Sequence, residues 1–218
     1  MWGGLLRRWY RTRATGPLAA FMEVPPPPPA TPVAELPMLA LDLELTGLDP
    51  GRAEIVSAGF VPIDGLRIRL AGAQRILVRP EGNVEESAKV HLIRDEDLEA
   101  AASLEEAMVL ILEALRGRVL LVHFSRLDHG MLARICRHRY GAPLVVPVVD
   151  TLAVAHRQLL RTGREPAPGS LRLPALRAQY GLPPAPLHGA LSDAVATAEL
   201  FLAMVAEKGR TSRLRDFA

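Results

Sequence analysis

The stretch Leu41–Gly47, LDLELTG, sets two carboxylates one residue apart inside an otherwise apolar run. Side chains in a β-strand alternate with period two, so Asp42 and Glu44 project from one face and the leucines from the other. Two like charges side by side repel in a low-dielectric setting unless a cation offsets them. Oxygen ligands at this spacing suit magnesium or manganese. Taken alone, the pair is equally compatible with a salt-bridged strand or an edge strand, so its meaning depends on what the rest of the chain brings to it.

Working outward, MLALDLELTG reads as a buried central strand followed by a Thr-Gly-Leu-Asp-Pro-Gly turn, and the folded part is expected to begin near Leu36. The segment from Ala53 to Pro80 reads as two or three antiparallel strands, with Asp64-Gly65 marking a tight hairpin turn. Ser103 to Leu115 is a strongly amphipathic helix that opens with a capping box, Ser103 and Glu106. GRVLLVHF supplies a second buried strand, and Leu127 to Arg139 a helix ended by Tyr140-Gly141. A further strand near Val145 to Val149, a helix beyond Asp150, a short helix in LRLPALRAQYG and a last helix over Ala190 to Ala206 complete the pattern. Hairpins followed by strand and helix units predict an α/β fold, a mixed central β-sheet flanked by helices.

The chain has 218 residues, six histidines and one cysteine. That length suits one domain with a substantial core, and the lone cysteine excludes a disulfide scaffold and any cysteine-based zinc cluster. Cys136 reads as a small core residue, and a reducing, cytoplasmic setting is the simplest expectation. Three parts are expected: a basic, proline-rich N-terminal extension over 1–35, a domain over 36–206 and a basic C-terminal tail over 207–218. The middle part carries 18 basic against 20 acidic residues and the flanks 8 against 4, so the basicity sits in the tails. The pI is therefore poor evidence for nucleic-acid binding. Of the basic residues 24 are arginine and two lysine, which suits bidentate phosphate contacts but equally fits a coding bias. The amino end shows no run for a membrane span and no clean signal-peptide core. Trp2, Leu5, Leu6, Trp9 and Tyr10 alternate with Arg7, Arg8 and Arg11, giving either a floppy basic arm or a short helix that touches a protein partner or an anionic surface. Pro25 to Pro29 read as a stiff spacer.

Three further residues bear on the strand carboxylates. Asp128 follows the second buried strand and opens the next helix. Asp193 stands in the first turns of the last helix, where it interrupts an Ala and Leu surface. His188, five residues earlier, reaches over the same place from the preceding loop.

The segments LDLELTGLDP, LLVHFSRLDHGML and LHGALSDAVAT, in that order, resemble the DEDDh class of 3′-to-5′ exonucleases. These ribonuclease-H-like nucleases include the proofreading epsilon subunit of bacterial DNA polymerase III. KVHLI around His91, VVDTLAVAH and LPALRAQYGL are secondary matches, and the likeness spans Leu36 to Ala206. It implies a ribonuclease-H-like fold in which Asp42, Glu44 and Asp193 hold one divalent ion, Asp42 touches a second, and Asp128 acts directly or through water. Two Mg2+ or Mn2+ ions are implied, with His188 as general base.

The implied reaction releases nucleoside 5′-monophosphates from DNA 3′ ends, preferably single-stranded or frayed. The same chemistry on RNA, or a non-catalytic recruitment module, are the alternatives. Leu45, Thr46, Gly47 and Leu48 form the loop expected to meet the terminal sugar and base, with His91 near the terminal nucleotide; Thr46 alternatively satisfies its own turn. Two departures stand out: the family usually has Thr at Leu45, and Asn at Phe124. Phe124 cannot make an amide's hydrogen bonds; it either stacks on a base or fills the core. His123, His129, His138 and His156 read as structural or surface residues.

Overall fold

The computed structural model describes residues 4–47, 52–80, 101–186 and 189–218. Strand β1 (Met38–Leu45) is central: it pairs antiparallel with β2 (Ile55–Asp64) and parallel with β5 (Val119–Val122). Beyond β2 lie β3 (Arg67–Ile68) and β4 (Gln74–Leu77), both antiparallel to it, and β6 (Val148–Asp150) runs parallel to β5. Among the described residues the sheet has six strands, and its mixed pairing bears out the expected α/β class. Gly65 and Leu66 both take positive φ, 57° and 61°, the pair that a two-residue hairpin joining β2 to β3 requires.

Strand alternation divides the core in two. Leu39, Leu41, Leu43, Leu120 and Val122 face helices α2 (Gly16–Glu23), α3 (Leu104–Leu115) and α4 (Asp128–Tyr140). Met38, Ala40, Val119 and Leu121 face α5 (Thr151–Arg161), α6 (Leu173–Gln179) and α7 (Ala190–Lys208). The capping box at Ser103 is formed in both directions, and α4 ends on Gly141 in the left-handed conformation. Cys136 is fully buried in the first cluster, where burial pushes its thiol up to about 12, as expected of an inert core residue.

The flanks, expected as an extension and a tail, pack onto this frame. Leu18, Phe21 and Met22 recur at i, i+3 and i+4 along α2 and are buried with α3 and α4. Arg7 in α1 (Gly4–Arg11) donates to the carbonyl oxygens of Val145, Phe21 and Val24 and so ties this hairpin of helices to the domain. At the other end Leu214 and Phe217 are buried, Phe217 edge-on to Phe201 of α7, and Leu214 N–H donates to Thr31 O. The two flanks thus brace one another. Among the described residues no helix is long and apolar enough to cross a membrane.

If α2 is part of the core, Phe21→Ala lowers the free energy of unfolding by about 3 kcal/mol in urea titration. An accessory arm would give a change below about 0.5 kcal/mol.

Candidate metal centre

Strand β1 changes character along its length. Met38 and Ala40 lie on the face that α7 covers, and the same face continues as Asp42 and Glu44. Across the antiparallel pair Asp42 stands opposite Gly59 and Glu44 opposite Ser57. A Cβ at Gly59 would lie 2.1 Å from both Ala190 C and Leu191 N, so the first turn of α7 rests its backbone directly on the bare strand. That seat brings Asp193, one turn further on, to the strand acids. Oxygen atoms of Asp42, Glu44 and Asp193 all lie within 4.8 Å of one another.

Asp128 arrives from the opposite side of the sheet. Pairing between β1 and β5 reaches Ala40 and Leu121, and the backbone N–H of Leu43 beyond it donates to Asp128 Oδ1 at 3.1 Å. The start of α4 thereby closes the cleft between the diverging strands, with Asp128 only 4% exposed. It lies beside the group of three rather than within it.

The electrostatics follow from burial. Burial pushes Asp42 up to about 9, and the carboxylates of Asp128, Asp193 and Glu44 add to the rise. Burial likewise pushes Asp128 up to about 8, against the opposing hydrogen bond from Leu43 and with Asp150 and Glu44 reinforcing it. Near neutral pH a cluster of this kind gains its full charge when a cation joins it. Its donors are all carboxylate oxygens, which suits a hard divalent ion better than zinc.

Residues 39–201 match the RNase_T family, described as exonuclease. The chain belongs to this exonuclease family. It is 32% identical over 168 residues to the DNA polymerase III PolC-type of Thermotoga maritima, covering 77% of this chain and 12% of that protein. With DNA polymerase III subunit epsilon of Escherichia coli it shares 30% over 186 residues, 80% of this chain and 72% of the relative. The chain thus spans about an eighth of the length of the PolC-type relatives it matches. Among solved structures, the nuclease domain of 3′hExo, a DEDDh family member, superposes with a TM-score of 0.67 at 14% identity, over 84% of this chain and 98% of that one. Escherichia coli Exonuclease I bound to an oligonucleotide gives 0.65 at 16%, over 84% and 43%. These structures establish the ribonuclease-H-like fold of the exonuclease domain.

Within this exonuclease-family domain the remaining expected site residues fall into two groups. Leu48, His91 and His188 lie outside the described residues. Of the others, Leu45 ends β1, half-buried, and Gly47 is exposed. Thr46 Oγ1 accepts from Glu54 N at 3.0 Å while Thr46 N donates to Glu54 O, so the hydroxyl serves the loop itself. Phe124 is 37% exposed rather than core. His129 points Nε2 at Leu144 O and His123 sets Nδ1 against Thr151 Oγ1; burial lowers both, in keeping with their structural reading.

Asp150, which the sequence marks only as the start of a helix, has a further role. Asp150 Oδ1 accepts from Leu152 N and Ala153 N, capping α5, and also from Phe124 N; its Oδ2 accepts from Ser125 N. A single carboxylate therefore holds both α5 and the loop that leads to Asp128. An Asp at the start of a helix signals the cap, but its second task depends on a neighbour 25 residues away.

The raised acids make stability depend on pH in a defined direction. Unfolded carboxyls ionise near pH 4, whereas Asp42 and Asp128 in the metal-free fold hold their protons to about 9 and 8. The folded state binds more protons across that window, so metal-free stability falls as pH rises, by at most about 1.4 kcal/mol per pH unit per group. Divalent ions bind the ionised form, and their stabilisation grows with pH. The expected result is a Tm increase on adding Mn2+ that is larger near pH 8 than near pH 5 and is lost in Asp42→Asn. A pH-independent increase retained in Asp42→Asn would place the bound ion elsewhere.

Proposed function

We propose that this chain is a divalent-metal-dependent 3′-5′ exonuclease acting on DNA, with single-stranded or frayed ends preferred. The observation that carries this reading is the convergence of Asp42, Glu44 and Asp193, drawn from two family segments distant in sequence, within 4.8 Å on the carboxyl end of β1. Matches to DNA polymerase III proteins at 30–32% identity favour DNA as the substrate.

In this reading Asp42, Glu44 and Asp193 would hold Mg2+ or Mn2+, Asp42 would also serve a second ion, and Asp128 would assist from beside them. Bound there, the ions supply Lewis-acid polarisation of the phosphate and lower the pKa of water. The protein's own part is to position and to move protons. His188 is assigned as the base that takes the proton from the attacking water. Oxygen from that water adds to the terminal phosphorus as the bond to the preceding O3′ breaks. The O3′ then takes a proton from solvent, leaving a shortened strand with a 3′-hydroxyl and a nucleoside 5′-monophosphate. Leu45, Gly47, Leu48 and His91 are assigned to the terminal nucleotide, with Thr46 bracing the loop that carries the first three.

A 5′-labelled single-stranded DNA incubated with Mn2+ is expected to shorten stepwise from its 3′ end, faster than the matched RNA, and to be stable in EDTA. His188→Ala is expected to lower kcat by about 10²- to 10⁴-fold. Faster release from RNA would overturn the DNA preference, activity insensitive to His188→Ala the assigned base, and no metal-dependent shortening of either strand the reading as a whole.

A further inference from the structure

Phe124 sits in a conformation that its residue type disfavours. Its φ is +81°, and among the described residues Leu66, in the β2–β3 hairpin, is the other non-glycine residue with positive φ. Glycine and asparagine enter this region readily, whereas a bulky aromatic residue is strained there. Strain of this sort is commonly repaid by burying the ring, but here the ring stays 37% exposed. The backbone is nevertheless firmly held. Asp150 takes the N–H groups of Phe124 and Ser125 at 3.0 and 2.8 Å, and Leu127 N–H closes a turn onto Phe124 O at 3.1 Å. An enforced, unrewarded strain beside a charged site points to a use for the exposed group.

Next to the ring lies an open cleft of about 540 Å3, walled by Phe124, Leu152, Pro166, Pro168 and Leu171, with Arg172 at its edge. Among the described residues its lining is apolar apart from His123 and this arginine and contains no acid, in contrast to the carboxylate cluster. The cleft and that cluster share no lining residue and are linked by a short run of chain. Phe124 precedes Asp128 by four residues, at most about 14 Å of backbone, and Gly130 N–H to Ser125 O locks the loop into the first turn of α4.

We infer that Phe124 and this cleft form a base-stacking subsite for the strand whose 3′ end lies at the carboxylates, receiving the second or third nucleobase from the terminus. An exposed aromatic face accepts any base, apolar walls exclude water from its edges, and Arg172 is placed to meet the phosphate that follows. The inference rests on the exonuclease reading for the position of the strand end. It adds a reason for single-stranded preference, since a base must leave its duplex partner to enter. Asp150 acts here as a positioning residue.

The test is an abasic walk. Single-stranded DNA carrying one abasic site at each of the last five positions is hydrolysed by the wild type, Phe124→Trp and Phe124→Asn. The asparagine variant suits the left-handed backbone, so it is expected to keep or raise Tm while losing the ring, which separates folding from binding. The wild type is expected to show KM raised about tenfold for an abasic site at the second or third position. Phe124→Trp keeps that pattern; Phe124→Asn loses it, and its KM for intact DNA rises by a similar factor. An abasic penalty unchanged in Phe124→Asn, or no penalty at those positions in the wild type, overturns the subsite. Binding of strands labelled with 2-aminopurine at those positions, in Ca2+, reads stacking without hydrolysis. Quenching by the wild type that disappears in Phe124→Asn supports the subsite even if no strand is shortened, and absence of quenching refutes it even if hydrolysis is robust.

Discussion

A helix seated on a glycine governs this structure. The first turn of α7 lies so close to β2 that Gly59 has no room for a side chain, and Gly59 stands directly across from Asp42. Any larger residue would lift the helix, and with it Asp193, off the strand acids. Close packing, usually a matter of stability alone, here sets the distance between charged groups. The carboxylates repel one another, so the apolar contacts of α7 further along, through Phe201, Met204 and Val205, must supply what holds them together.

The same economy appears on the other side of the sheet. β1 is buried on both faces over its first half and becomes polar on one face where β5 stops pairing with it. Parallel strands that diverge leave backbone donors exposed at their carboxyl ends, and such crevices are natural ligand sites. Asp128 meets one of those donors, Leu43 N–H, and Asp150 holds the loop that delivers Asp128. Four acids thus form two layers: Asp42, Glu44 and Asp193 within reach of a shared ion, Asp128 buried at their side, with Asp150 organising the approach. Raised proton affinity at Asp42 and Asp128 is the electrostatic signature of buried carboxylates crowded together.

Much of this was legible in the sequence because it is local. Alternation placed Asp42 and Glu44 on one face, the capping box placed the start of α3, and helical spacing put Asp193 at the head of α7. What stayed hidden depends on neighbours far along the chain. Gly59 reads as an ordinary strand glycine until Ala190 lies over it. Phe124 reads as an apolar residue at a strand end until its backbone is bent to positive φ by Asp150. The packing of α2 is hidden in another way: Leu18, Phe21 and Met22 show helical spacing, but the five prolines that follow read as a spacer. Those prolines instead run past Val145 to Pro147 toward the pairing of Thr31 with Leu214.

The claim that the glycine seat creates the metal centre is tested most directly by Mn2+ binding, followed by electron paramagnetic resonance, to Gly59→Ala with wild-type far-UV circular dichroism. The account predicts affinity at least about tenfold weaker than in the wild type, the size of loss expected when the support of a metal ligand is disturbed. Unchanged affinity would contradict it, because Asp193 would then reach the ion without the close approach of α7 to β2.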